Sequence, residues 1–183
     1  MSKAVLISIR PQWCQKIASA EKTIEVRKTR PKLETPFKAY IYCTMPDAKD
    51  PHNILELHGA DGKIRKANGK VVGEFTCDRI FPFNVFDNGS IQNWLFEHME
   101  RSCLTYEELA DYIGNGKTGY GWHISGLLIY NQPKGLSEFQ RATDPCVFCM
   151  ERIARECTDC KKFGGNIKRP PQSWCYVEAM KDE

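Results

Sequence analysis

In the first third of the chain, short apolar runs alternate with polar segments, and the spacing of the apolar residues changes from one segment to the next. Residues 4–10 are apolar and β-branched, which predicts an opening strand. Pro11 suits the first turn of a helix, where its missing N–H costs nothing. Trp13 and Ile17 then lie on one helical face, and this helix should end near Ala20.

The next segment, residues 22–28, has the period of two that is typical of a half-buried strand. Ile24 and Val26 lie on one face of this strand, whereas Glu25 and Arg27 lie on the other. Two interpretations of the charged face stay open. It is either an ordinary solvated face, with surface ion pairs worth ~0–1 kcal/mol each, or the lining of a ligand site.

Further elements follow from the same patterns. Thr105 and Glu108 form a capping box at the start of a second helix, and Ser90 is predicted to cap another helix just before it. The glycine-rich residues 114–121 predict a flexible loop. Apolar runs predict strands at residues 38–44, 70–81, 122–133 and 173–178. Strands and short helices without regular βαβ units favour an α+β fold built on a small β-barrel with peripheral helices.

Length and composition set the limits for this fold. The chain has 183 residues, of which 42% are hydrophobic, so it can bury one good core plus a small appendage. The net charge of +3 is too small to predict nucleic-acid binding by itself, so any cationic surface has to come from local clustering. Residues 1–20 contain neither a long apolar run nor a signal-peptide pattern, which predicts a cytoplasmic protein that does not bind membranes.

Nine cysteines are many for a cytoplasmic chain, and four of them have regular spacing. Two CxxC pairs are separated by seven residues, an arrangement that can give four thiolates to one tetrahedral metal ion. We predict a structural zinc site, with a rubredoxin-like iron centre as the alternative. The division into domains follows: residues 1–143 as the barrel, and residues 144–183 as a metal-stapled extension whose last strand returns to the barrel. The predicted ligands are Cys146, Cys149, Cys157 and Cys160.

The opening residues also resemble a known family. The stretch "ISIRPQWCQKIASAEKTIEVRK" is similar to the start of an ASCH domain, a member of the PUA-like superfamily of small β-barrels. The stretches "KVVGEFTCDRI" and "GYGWHISGLLIYNQPKGLSEF" resemble later strands of that family, so the similarity spans about residues 4–139. The resemblance implies a pseudo-barrel whose cleft accepts RNA or a modified base or nucleoside.

A related branch, the bacterial acetylcytidine amidohydrolases, uses a lysine, a threonine and a glutamate. The lysine position matches Lys22, but the threonine position falls on Glu25 and the glutamate position falls near Ser102, with Glu100 two residues away. The hydroxyl nucleophile is therefore missing. Lys22 and Glu25 are the candidate acid–base pair if the protein is an enzyme. The candidate ligand-binding residues are Arg10, Arg27, Lys28, Tyr120, Trp122 and His123.

Three functions remain in competition. The first is binding of RNA or of a modified nucleoside in a cationic cleft, with aromatic side chains near the glycine-rich loop stacking on bases. The second is a metal-independent ribonuclease or a modified-nucleoside hydrolase that uses Lys22 and Glu25. The third is a protein-interaction module in which the cysteine-rich segment docks a partner.

Overall fold

The structure is a computed structural model that describes residues 2–47, 53–59, 61–142 and 165–180. The chain divides into two compact units that alternate along the sequence. The first unit comprises Met1–Pro11, Lys38–Glu74 and Ile129–Glu183, and the second comprises Gln12–Phe37 and Phe75–Leu128.

Helices and strands are both present in the described part of the chain, which is therefore a mixed α+β protein. The order of elements is β1 (Lys3–Ile9), α1 (Pro11–Ala18), β2 (Ile24–Arg27), β3 (Phe37–Cys43), β4 (Glu56–His58), β5 (Ile64–Lys66), β6 (Val71–Cys77), β7 (Ile80–Val85), β8 (Ile91–Gln92), α2 (Phe96–Ser102), α3 (Tyr106–Ile113), β9 (Lys117–His123), β10 (Ser125–Lys134) and β11 (Trp174–Glu178).

The first unit carries most of a five-stranded sheet with the strand order β10-β6-β3-β1-β11. Strand β1 runs parallel to β3 and antiparallel to β11, the last strand of the chain. The apolar residues of β1 are fully buried because the strand has a neighbour on each side and a packed core against it. That core contains Ala4, Leu6, Tyr40, Tyr42, Val71, Phe139, Ile167 and Val177.

The second unit holds a four-stranded sheet with the order β2-β9-β7-β8, and helices α2 and α3 contribute to its core. Thr105 caps α3 as predicted: its hydroxyl accepts from the Glu108 N–H, and the Glu108 carboxylate accepts from the Thr105 N–H. The core of this unit contains Ile24, Val26, Phe83, Val85, Trp94, Leu109 and Ile113.

The predicted closed β-barrel is wrong. In the described residues the strands form three separate open sheets of five, four and two strands, and none of them closes on itself. A closed barrel needs strands long enough to tilt and pair all the way round. Here the two predicted long strands are both interrupted, at Asp78 and at Ile124, so their halves belong to different sheets.

Two other local predictions are also wrong, for identifiable reasons. Ser90 does not begin a helix, because the turn before it, with Gly89 at φ 79°, connects β7 to β8 instead. The helix begins later, at Phe96. The glycine-rich segment predicted as a loop is largely strand β9, since its glycines leave room for aromatic rings. A Cβ on Gly121 would lie 2.6 Å from the Trp94 ring.

Candidate functional site

Strand β2 is buried on both of its faces. Ile24 and Val26 pack into the core of the second unit, while the charged side chains of Glu25 and Arg27 point to the opposite face and are also buried. The charged face is therefore not the ordinary solvated strand face that the sequence left open.

Three charged side chains meet around the Glu25 carboxylate. Its Oε1 lies 2.9 Å from Nη2 of Arg27, and its Oε2 lies 3.5 Å from Nζ of Lys22. The side chains of Lys22, Glu25 and Arg27 are only 2%, 7% and 8% exposed. We call this group the ion cluster. It holds two cations and one anion, so it carries a net positive charge with little water around it.

Lys22 is the most enclosed member of the ion cluster. Its ammonium donates to the carbonyl oxygen of Ser102 at 2.5 Å and lies 5.1 Å from the centre of the Trp13 ring. Loss of water on burial is the largest influence on this group and lowers its pKa below the ordinary lysine value, while the Glu25 carboxylate acts in the opposite direction.

The local chain path explains how these groups meet. Helix α1 ends at Ala18, and the Lys22 N–H donates to the Lys16 carbonyl, which turns the chain from the helix into β2. The side chain of Arg101 near the end of α2 donates to the Thr23 hydroxyl at 2.9 Å. This contact helps to hold the end of α2 beside the start of β2, and there the Ser102 carbonyl meets Lys22.

The ion cluster offers two kinds of chemistry. A carboxylate between two cations, with an ammonium and a guanidinium as donors, can recognise the polar edge of a base or an anionic group. An ammonium whose pKa is lowered by burial can also give up and take back a proton more readily than an ordinary lysine. Strongly perturbed groups of this kind are concentrated at functional sites, although structural ion networks produce them too.

The other predicted ligand-binding residues are distributed more widely. Arg10 belongs to the first unit and is exposed. Lys28 is exposed, with its ammonium 5.2 Å from the Tyr112 ring. Tyr120 is half-buried and pairs with Arg27 across β2 and β9.

Trp122 and His123 do not take up the positions that the sequence suggested. Trp122 is fully buried and packs edge-on against Phe37, so it presents no ring face on which a base could stack. His123 pairs with Ile24 in the register of β2 and β9, whereas Glu25 pairs with Trp122. The imidazole is therefore on the opposite sheet face from Glu25 and outside the ion cluster.

Two contributors to the ion cluster were not identified as such from the sequence. The sequence placed Trp13 only on a helical face with Ile17, whereas in the structure it is half-buried beside the Lys22 ammonium. The Ser102 carbonyl is 80 residues away along the chain from Lys22. The only signal for it was the family resemblance, which places the catalytic glutamate of relatives near this position.

The predicted metal site lies outside the described residues, as do all four of its cysteines. Within the described part of the chain, no three histidine, cysteine or acidic side chains come together in a way that would hold a metal ion. Nor does any helix there have the length and apolar character needed to cross a membrane.

The second unit also has an open concavity of about 550 Å³. It is separate from the ion cluster, and all of its charged lining residues are acidic. The residues that line it are Asp87, Asn88, Gly89, Tyr106, Glu107, Ala110, Asp111 and Asn115.

No protein-family model matches the sequence, and no curated protein matches it. The structure is similar to the crystal structure of ASCH from Zymomonas mobilis, with a TM-score of 0.57 and 18% identity, over 96% of this chain and 87% of that one. Two single-residue mutants of the Zymomonas mobilis protein give TM-scores of 0.57 and 0.51, again at 18% identity. They cover 97% and 96% of this chain, and 91% and 88% of theirs.

These likenesses show that the chain has the ASCH fold. The resemblance read from its opening residues is thus confirmed at the level of the fold. At this level of identity the likeness shows the fold alone, so function has to be argued from the residues of this chain.

Proposed function

We propose that this protein binds RNA or a modified nucleoside, and that the ion cluster of Lys22, Glu25 and Arg27 contacts the nucleoside. The observation that carries the proposal is the burial of three charged side chains around one carboxylate. Removing ions from water costs several kcal/mol each, and apolar residues of similar size often stabilise a core at least as well. A buried ion cluster on a short strand therefore favours a function over a purely stabilising role.

The arrangement suits the edge of a base better than a bare phosphate. Arg27 and Lys22 can donate to carbonyl oxygens and ring nitrogens, and Glu25 can accept from an amino group. An isolated phosphate, in contrast, would face the Glu25 carboxylate as well as the two cations.

Exposed cations next to β2 support RNA as the larger ligand. Lys28 and Arg30 follow the strand directly, and both are exposed. The Lys28 ammonium lies 5.2 Å from the Tyr112 ring, and the Arg30 guanidinium lies 5.9 Å from the Tyr120 ring. Cations interleaved with aromatic rings are typical of surfaces that follow a single-stranded backbone.

Binding of fluorescently labelled single-stranded RNA, measured by fluorescence anisotropy, tests the proposal. Arg27→Gln should weaken binding at least about tenfold, because it removes a charge-assisted donor from the ion cluster. Arg65→Gln is the matched control, since Arg65 pairs with Asp61 in the first unit and should have little effect. Calorimetric titration with acetylated cytidine and with cytidine then asks whether a nucleoside alone is sufficient.

The binding measurements either support or reject the ion cluster as the ligand site. Tight binding by wild type that Arg27→Gln weakens and Arg65→Gln does not would support the ion cluster as the site. Equal binding by both variants, or no binding of RNA or of either nucleoside by wild type, would reject it. Lys28→Gln should also weaken RNA binding and reduce its salt dependence, because each phosphate contact releases counterions.

A second candidate function is catalysis by the same ion cluster. The specific observation that favours it is the pKa of Lys22, which burial lowers, so that this side chain gives up its proton more readily than an ordinary lysine. Glu25 would do the complementary transfer. Turnover of RNA or acetylated cytidine by wild type, lost in Lys22→Ala with its fold intact by circular dichroism, would support catalysis. Binding without turnover would leave the first proposal standing alone.

A further inference from the structure

Asp78 and His123 form a close pair on the second unit, away from the ion cluster. Nδ1 of His123 lies 2.6 Å from Oδ1 of Asp78. Asp78 sits in the break between β6 and β7, and His123 is the last residue of β9. Although desolvation opposes it, hydrogen bonding from His123 helps to hold the pKa of Asp78 below its ordinary value. The carboxylate therefore fixes the orientation of the imidazole ring.

The other ring nitrogen of His123 is available. Among the residues that the structure describes, Nε2 has no hydrogen-bond partner, and the His123 side chain is 24% exposed. With Nδ1 engaged by Asp78, Nε2 is the ring nitrogen left to meet a ligand.

Arg79 adds a cationic donor at the same place. The His123 N–H donates to the Arg79 carbonyl at 2.9 Å, so the two residues are held side by side. Arg79 is exposed, and within the described ranges its guanidinium makes no ion pair. The half-buried Phe81 ring is near both groups, with its centre 6.0 Å from the guanidinium carbon and 6.4 Å from the centre of the imidazole.

We propose that His123, Arg79 and Phe81 form a second ligand site, which binds the phosphate group of a nucleotide. Asp78 holds the imidazole through Nδ1, which leaves Nε2 as the ring nitrogen that hydrogen-bonds with the phosphate. The planar guanidinium of Arg79 donates to the same phosphate in a bidentate manner. Phe81 supplies an apolar wall for the attached sugar or base.

This site is distinct from the ion cluster. In the β2–β9 register His123 lies opposite Ile24, on the sheet face that does not carry Glu25 and Arg27. The inference therefore does not depend on the proposed function, and the two can be rejected independently.

Nuclear magnetic resonance of the His123 ring tests the second site directly. The ring resonances are followed at constant pH during titration with cytidine monophosphate, inorganic phosphate and cytidine. We expect saturable shifts with the two phosphate-bearing ligands and none with cytidine. The ratio of their affinities shows whether the ligand is a nucleotide or free phosphate.

Variants separate this site from a nonspecific surface and from the ion cluster. Arg79→Gln should weaken phosphate binding at least about tenfold, whereas Lys117→Gln, the loss of another exposed cation of the same unit, should not. Asp78→Asn should weaken phosphate binding at the second site by releasing the imidazole. Arg27→Gln, in the ion cluster, should leave phosphate binding at the second site unchanged. Equal effects of Arg79→Gln and Lys117→Gln, shifts with cytidine as large as with its monophosphate, or no saturable shift would overturn the proposal.

Discussion

Replacing Glu25 by glutamine tests whether the ion cluster is as desolvated as its geometry indicates. The substitution keeps the size of the side chain and removes its charge. One carboxylate oxygen becomes an amide NH₂ group, so one of the two cations now faces a donor. Lys22 and Arg27 would remain side by side with no anion between them.

The size of the expected loss of stability follows from the distances that join the Glu25 carboxylate to Lys22 and Arg27. With an effective dielectric constant of about 20, unit charges at 3.5 Å and 2.9 Å attract by about 5 and about 6 kcal/mol before the cost of desolvation is counted. Breaking a buried ion pair by removing one partner typically costs ~3–5 kcal/mol. For a chain of this length, that corresponds to a fall in Tm of roughly 6–20 °C.

Urea denaturation followed by circular dichroism measures this loss. Glu21→Gln is the matched control, because Glu21 pairs with Lys16 at 3.6 Å but the two side chains are 61% and 43% exposed. That change should cost less than about 0.5 kcal/mol. If Glu25→Gln were no more destabilising than Glu21→Gln, the ion cluster would be solvated, and the argument for a buried recognition site would fail.

Three further predictions follow from other parts of the molecule. Gly121→Ala should destabilise the protein by ~1–3 kcal/mol, because the added Cβ would lie 2.6 Å from the buried Trp94 ring. Gly135→Ala is the control and should not destabilise it, because its Cβ would meet nothing nearer than 3.5 Å. Thermal denaturation of the two variants measures the difference. The lowered pKa of Lys22 means that, between its folded value and the ordinary value near 10.5, the unfolded chain holds more protons. The difference in unfolding free energy between wild type and Lys22→Met should therefore increase as the pH rises through that range. A difference that does not change with pH would contradict the lowered pKa of Lys22. The zinc site stays a prediction: elemental analysis should find about one zinc per chain, lost in Cys146→Ser but not after replacement of a cysteine outside the segment.

Local sequence signals predicted the elements whose residues act on near neighbours. The alternation of Ile24 and Val26 with Glu25 and Arg27 located a strand because side chains in an extended chain point to alternate faces whatever surrounds them. The capping box at Thr105 was also predicted correctly from local sequence, because both of its hydrogen bonds join residues only three positions apart.

Predictions that depended on where one strand ends and the next begins were wrong. The segment from residue 70 to residue 81 looked like one long strand, yet the chain changes sheets at Asp78. Periodicity records which face is apolar, but a break between two strands with the same alternation leaves almost no trace in it. The closed barrel was inferred from such uninterrupted strands and failed with them.

The sequence by itself determined that β2 has a charged face and an apolar face, and that Lys22 stands where a helix gives way to a strand. Whether the charged face meets water was decided only in the tertiary structure, which brings the Ser102 carbonyl to the Lys22 ammonium across 80 residues of chain. The same packing buries Trp122 and turns His123 away from Glu25. Such outcomes depend on long-range packing, because burial and the distances between charges are properties of groups that are distant in sequence.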